Sequence, residues 1–256
     1  MGAVASSMGR LISLGVAVAS ILLIWKGGVL NGVLPQQAPP PLDPGPVISR
    51  SGDAMQNLKS VHLSLNGILV LNGVAGVKVT GSGDLISPHK ETLSLQLDIP
   101  APNGQTTTVI VNERIEGGHE YVQYPSQGPA WKDVTGNTKG QIAPGMDPLA
   151  NLEFAHAFRA SDDLGDITMD RIAVHHFSLT VDPGKYVGQL KADPQSGLTP
   201  QAEAVLTNAG IQVEVWISAS DSLMHQMKID MTTTQFTWSL TYRFSDFVAG
   251  GGSSST

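Results

Sequence analysis

Apolar and polar residues alternate along most of this chain. Leu93, Leu95, Leu97 and Ile99 are interleaved with Thr92, Ser94, Gln96 and Asp98. Val61, Leu63 and Leu65 alternate with His62 and Ser64, and Phe177, Leu179 and Val181 with Ser178 and Thr180. Ile211, Val213, Val215 and Ile217 form a further row. The pattern is clearest near the C-terminus. There Met227, Ile229 and Met231 alternate with Lys228, Asp230 and Thr232, and Phe236, Trp238, Leu240, Tyr242 and Phe244 with Thr237, Ser239, Thr241 and Arg243. Successive side chains of a strand point to opposite faces, so a period of two describes strands with one wet and one dry side. Strands of this kind, joined in a meander, build a twisted antiparallel sheet with a single apolar face.

That face requires a cover, and three short helical segments are expected to supply it. Gly52 to Leu58 precedes the first strand. Asp147-Pro148 opens a second helix with an acidic cap and a proline at the first helical position, followed by Leu149, Leu152, Ala155 and Phe158. Thr199-Pro200 repeats that signal, and Gly210 is placed to end the third helix at C′. Strands predominate and do not alternate with helices, so the fold class is α+β: a curved antiparallel sheet with short helices over its apolar face.

The N-terminus is of another kind. Arg10 is the only charged side chain before an apolar run from Leu11 to Ile24, and no acid occurs before Asp43. A basic residue ahead of an apolar stretch is the pattern of a targeting segment. The small residues Ala17 and Ala19 lie inside the run rather than after it, so a retained anchor over residues 1–34 is expected ahead of a cleaved signal. Pro35 to Pro46, with Pro39-Pro40-Pro41, reads as an extended polyproline spacer. The expected division is an anchor or signal at 1–34, a proline-rich linker at 35–48, the β domain at 49–247 and a flexible Gly/Ser tail at 248–256. The positive-inside tendency, with Arg10 first, places the domain on the extracytoplasmic side of a cell membrane.

Composition narrows the function. The chain carries 15 basic against 22 acidic residues with no basic cluster, which gives no footing for nucleic acid. It has no cysteine, so thiolate metal sites and cysteine nucleophiles do not arise. No nucleophile elbow, dinucleotide loop or Walker loop is present. His175-His176 would point to opposite faces of a strand and could not share an ion. Glu153 and His156 form half of a di-iron motif without the other half. Asp162-Asp163 and Asp166 lack calcium-loop spacing and read as a solvated acidic loop, and Gly81-Ser82-Gly83 reads as a turn or bulge. No catalytic residue, metal or cofactor is expected, and no protein partner is indicated.

Several short segments resemble the LppX/LprG lipoproteins and, more broadly, the LolA/LolB lipoprotein-carrier fold. Ala54-Met55-Gln56-Asn57-Leu58-Lys59-Ser60-Val61 is similar to the family's opening helix and strand. Glu120-Tyr121-Val122-Gln123-Tyr124, shortly before Trp131, resembles its tyrosine-rich hairpin, and Asp147-Pro148-Leu149 its middle helix. Val213-Glu214-Val215-Trp216-Ile217 followed by Met224-His225-Gln226-Met227-Lys228-Ile229 resembles its late strand pair. The resemblance implies an open half-barrel that binds acyl chains or acylated proteins. Family members usually carry a lipidated cysteine after the apolar run; here the stretch reads Leu23-Ile24-Trp25-Lys26-Gly27-Gly28. The peptide itself is therefore the expected tether.

These readings converge on a membrane-tethered protein that holds a lipid or acylated molecule. The expected cavity wall is Leu93, Leu95, Leu97, Met227, Ile229, Met231, Phe236, Trp238, Leu240 and Tyr242. A structural or sensory ectodomain with a filled core uses the same alternation and is the alternative.

Overall fold

The computed structural model describes residues 42–250 apart from 72–75, 87–89, 102, 118, 135–152, 193–197 and 199. Eleven strands form one sheet: β1 (Leu58–Leu71), β2 (Val77–Ile86), β3 (Lys90–Pro100), β4 (Thr106–Glu116), β5 (His119–Gln123), β6 (Lys132–Asp133), β7 (Phe158–Met169), β8 (Ile172–Val181), β9 (Gly210–Ser218), β10 (Met224–Thr232) and β11 (Phe236–Ala249). Their spatial order is β6-β5-β4-β3-β2-β1-β11-β10-β9-β8-β7, and every pairing is antiparallel. Each run follows the meander except at the centre, where the last strand returns beside the first. The sheet is curved and does not close, as a half-barrel requires.

Curvature has a local cause at the centre. Gly67, Gly81 and Gly83 stand on β1 and β2 at inward positions that the alternation would give to large apolar residues. A Cβ on Gly83 would strike the carbonyl oxygen of Thr92 and come 2.8 Å from the Cα of Leu93, both backbone. A Cβ on Gly67 would meet Ser239 O and, at 2.5 Å, Leu240 Cδ2. The missing side chains let neighbouring strands coil tightly against one another. Gly81-Ser82-Gly83 is thus an unbroken part of a strand, paired on both sides, and not the turn or bulge the sequence suggests.

Among the described residues three helices accompany the sheet: α1 (Pro44–Gln56), α2 (Pro183–Ala192) and α3 (Pro200–Thr207). Asp43 caps α1 by accepting from Gly45 N at 3.2 Å, with Pro44 at the first position. The helix therefore starts earlier than the expected Gly52, its first turns come from the expected linker, and Leu58 already belongs to β1. Helix α2 was not anticipated. Its cap is Asp182, whose Oδ1 accepts from Lys185 N at 3.1 Å. The third expected helix is present as α3, but it ends at Thr207, and Gly210 opens β9 instead of serving as C′. Residues 147–152 of the expected middle helix lie outside the described residues. Its remainder is a 3-10 turn at Glu153–Ala155, and Phe158 begins β7.

The anchor expected over residues 1–34 also lies outside the described residues, as does the tail beyond residue 250. Among the described residues no helix is long and apolar enough to cross a membrane.

Candidate ligand-binding face

Register turns the separate apolar rows into one continuous surface. Leu179 pairs with Val213, Val213 with Ile229, and Ile229 with Leu240. Leu240 faces Gly67, which pairs with Val79, then Leu97, then Val109. A parallel row runs through Phe177, Val215, Met227, Tyr242, Leu65, Gly81, Leu95 and Val111. The apolar face thus extends from β8 across the centre to β4. It becomes polar at both rims, at Ser161 and Asp163 on β7 and at Glu113 and Glu120 on β4 and β5.

All ten expected wall residues lie on this face. Leu93, Leu95, Met227, Ile229, Met231, Phe236, Trp238, Leu240 and Tyr242 are buried, and Leu97 is half-buried. The structure adds Leu63, Leu65, Phe177, Val213, Val215 and Phe244, which share the face and the same burial. Their alternation was legible in the sequence.

The cover is built from the helices. α1 turns Ile48, Ser51, Gly52 and Met55 inward and packs against β7, β10 and the 3-10 turn. A Cβ on Gly52 would lie 2.7 Å from Ala155 Cβ, so the glycine permits that close approach. Tyr186 of α2 lies with its ring 4.5 Å from that of Phe154 in the turn. Lys191 on α2 and Glu203 on α3 form an ion pair at 2.8 Å that ties the two helices. Ile48, Tyr186, Leu190 and Leu206 join the sheet residues in a single apolar cluster.

The convex side is polar. Ser94 Oγ donates to Asn112 Oδ1 at 2.9 Å, and Asn112 Nδ2 to Gln123 Oε1 at 2.8 Å. Lys228 lies between Asp230 at 2.8 Å and Glu214 at 3.5 Å. The hydrogen bond that Lys228 donates to Asp230 holds its ammonium above its ordinary range. Burial pushes Asp230 up, but Lys228 and Ser239 outweigh it and its carboxyl stays below the usual range. Trp216 is on this side, opposite Val213 and Val215. It stacks on His176 at 4.3 Å and is excluded from the apolar face.

Other sequence motifs resolve into ordinary structural roles. His175 hydrogen-bonds Asp166 on β7, whereas His176 meets Glu214 at 2.9 Å on the convex side. Asp162, Asp163 and Asp166 belong to the edge strand β7 rather than to a loop. His156 lies 3.5 Å from Asp53. Among the described residues no group of three or more metal-ligating side chains is assembled.

No family model matches the chain, and no curated protein matches it. Among solved structures, LprF from Mycobacterium bovis is similar at 16% identity, covering 83% of this chain and 96% of that one, with a TM-score of 0.49. The Mycobacterium tuberculosis lipoprotein LppX is similar at 17% identity over 80% of this chain and 96% of its own, with a TM-score of 0.43. A LolA superfamily protein from Nitrosomonas europaea shows 8% identity over 80% and 92%, with a TM-score of 0.32. At such identities neither ligand nor partner transfers to this chain.

Proposed function

We propose that this protein holds a lipid or acylated molecule against the concave face of its sheet, on the extracytoplasmic side of a cell membrane to which residues 1–34 tether it. The observation that carries this reading is the breadth of the apolar face. Its two central rows run from β8 to β4 without a polar residue, with the carboxyl of Glu91 on β3 buried beside them on the same face, while its cover among the described residues is three short helices and a 3-10 turn. Leu93, Leu95, Leu97, Met227, Ile229, Met231, Phe236, Trp238, Leu240 and Tyr242 form the wall in this reading. Binding is by burial: each ligand methylene removed from water contributes about 0.8 kcal/mol, which calls for no catalytic group, metal or cofactor.

A second reading is favoured by a specific observation. Ile229, Leu240 and Tyr242 are at most 1% exposed beneath the helices, as in a filled core. A structural or sensory ectodomain would look the same there. Native mass spectrometry of the full-length protein separates the two. Co-purifying lipid mass, removed by extraction and restored by added lipid, supports the carrier. An apo mass that added lipid leaves unchanged overturns it.

A further inference from the structure

Two buried donors, one on the apolar face and one on its cover, have no hydrogen-bond partner. The indole Nε1–H of Trp238 donates to nothing, on a residue only 3% exposed. The hydroxyl of Ser51 is equally unpartnered, on a residue 0% exposed. Trp238 belongs to the sheet, in register between Leu69 and Met231, and neither neighbour offers more than a weak sulfur acceptor. Ser51 belongs to the cover, on the inward side of α1 that also carries Ile48 and Met55. A buried donor that gives up water and gains no partner is destabilising, and native proteins seldom tolerate it without a reason. Phenylalanine and alanine would give these positions apolar surface with no orphaned donor. One such donor on the sheet and one on its cover point to an acceptor that arrives with the ligand.

We propose that the ligand is an ester-linked acyl lipid whose carbonyl oxygen accepts a hydrogen bond from Trp238 Nε1–H, with the Ser51 hydroxyl as a second donor. The inference rests on the lipid-holding reading above and narrows it. A pure hydrocarbon, whether alkane or polyisoprenoid, brings no acceptor and leaves both donors orphaned. A carboxylate would arrive as a buried charge, and neither Trp238 nor Ser51 supplies a counter-charge. A neutral carbonyl matches two neutral donors.

The test uses the full-length protein and two probes of equal chain length with the same fluorescent tag on glycerol: a palmitoyl ester and a hexadecyl ether that lacks the carbonyl. The wild type should bind the ester about five- to tenfold more tightly than the ether, the worth of one good hydrogen bond. Trp238→Phe should abolish the ester's advantage, so that the two probes bind the variant with equal affinity whatever the smaller ring does to both alike. Ser51→Ala should close part of the gap. In isotope-labelled wild-type protein, the Trp238 indole N–H resonance should move downfield with the ester and stay in place with the ether. That resonance is the one missing from Trp238→Phe or, should the variant not fold, the one retained through Trp25→Phe, Trp131→Phe and Trp216→Phe. Equal binding of both probes with an unmoved indole overturns this inference and leaves the lipid-holding reading standing. Binding of neither probe overturns both.

Discussion

The two halves of this sheet carry the same alternation into different surroundings. On β8 to β11 the inward residues Phe177, Val213, Ile229, Leu240 and Tyr242 are all buried, and α1 lies over β10. On β3 and β4 the inward residues Leu93, Leu95 and Val111 are buried too, but Leu97, Ile99, Val109 and Ile115, towards the ends of the same strands, are only half-buried. Period-two patterning dictates which side of a strand is apolar. It is silent on how completely that side is covered, because cover comes from elements distant in sequence. The C-terminal half therefore behaves as a core, and the N-terminal half offers the more open stretch of the same surface.

The junction of the halves gives the largest expected effect. β1 is the central strand of the eleven, and Gly67, Gly81 and Gly83 sit on β1 and its neighbour β2. Gly83→Ala places a methyl group against the backbone of Thr92 and Leu93, which cannot rotate away. Urea unfolding should show a loss of about 4 kcal/mol or more, or no folded protein. Gly188→Ala is the contrast, since nothing lies within 4 Å of a Cβ at that helical position. It should be neutral or stabilising by about 0.5–1 kcal/mol. A stable Gly83→Ala protein would mean that the halves are not joined by a tight coil.

Truncation on each side measures the difference directly. Ile229→Ala in the packed half should cost about 2–5 kcal/mol, as core truncations do. Leu97→Ala, half-buried, should cost about 1 kcal/mol, because fewer contacts are lost. Equal costs would erase the distinction between the halves. Overpacking sharpens it further. Ile229→Trp should destabilise by about 1–3 kcal/mol. Leu97→Trp should leave the melting temperature nearly unchanged and weaken binding of a fluorescent acyl probe. Unfolding by Leu97→Trp would assign the open half to a filled core as well, and the carrier reading would then fall to the structural one.

The same division marks what was legible in the sequence. The strands of the packed half, and β3, announce themselves because each has one wet and one dry side. β7 does not. It is an edge strand with Asp162, Leu164, Asp166 and Ile167 all exposed, so neither face is uniformly apolar, and its pairing with β8 is a tertiary fact. The inward glycines were misread because an isolated glycine more often marks a turn than a crowded strand. Helix α2 was hidden behind Val181-Asp182-Pro183-Gly184, which reads as a turn, and its interior Gly188 weakens the helical signal. The Asp182-Pro183 start was nonetheless the signal already accepted at Asp147-Pro148. Of the candidate face, the wall residues were readable one strand at a time. The cover was not, since Ser51 and Tyr186 acquire their positions only when α1 and α2 fold back. Trp216 shows the limit from the other side: buried and aromatic, it belongs to the convex face, on the same side of β9 as Glu214 and Gln212.

The smallest predicted effect tests whether the packed half imposes core conditions on a titratable group. The register of β10 shifts between Met224 and Gln226, and His225 occupies that irregularity. Its ring meets Phe247 edge-on at 5.0 Å, and its Nε2 is buried without a partner. Burial lowers its pKa from the ordinary 6.5, against the opposing pull of Asp221 and Asp170. A folded-state pKa below the unfolded one means that the unfolded chain takes up the proton first as pH falls. Between the lowered value and 6.5 the unfolded state therefore binds more protons, so stability rises with pH across that window and is lost on acidification through it. His225→Phe keeps an aromatic ring against Phe247 and removes the proton. Urea midpoints taken from about pH 8 down to about pH 5 should decline less steeply for His225→Phe than for the wild type. Parallel profiles would show that the ring is as well hydrated in the folded protein as in the unfolded chain. The packed half would then end before the bulge, and the boundary between the two halves of the sheet would have to be drawn closer to its centre.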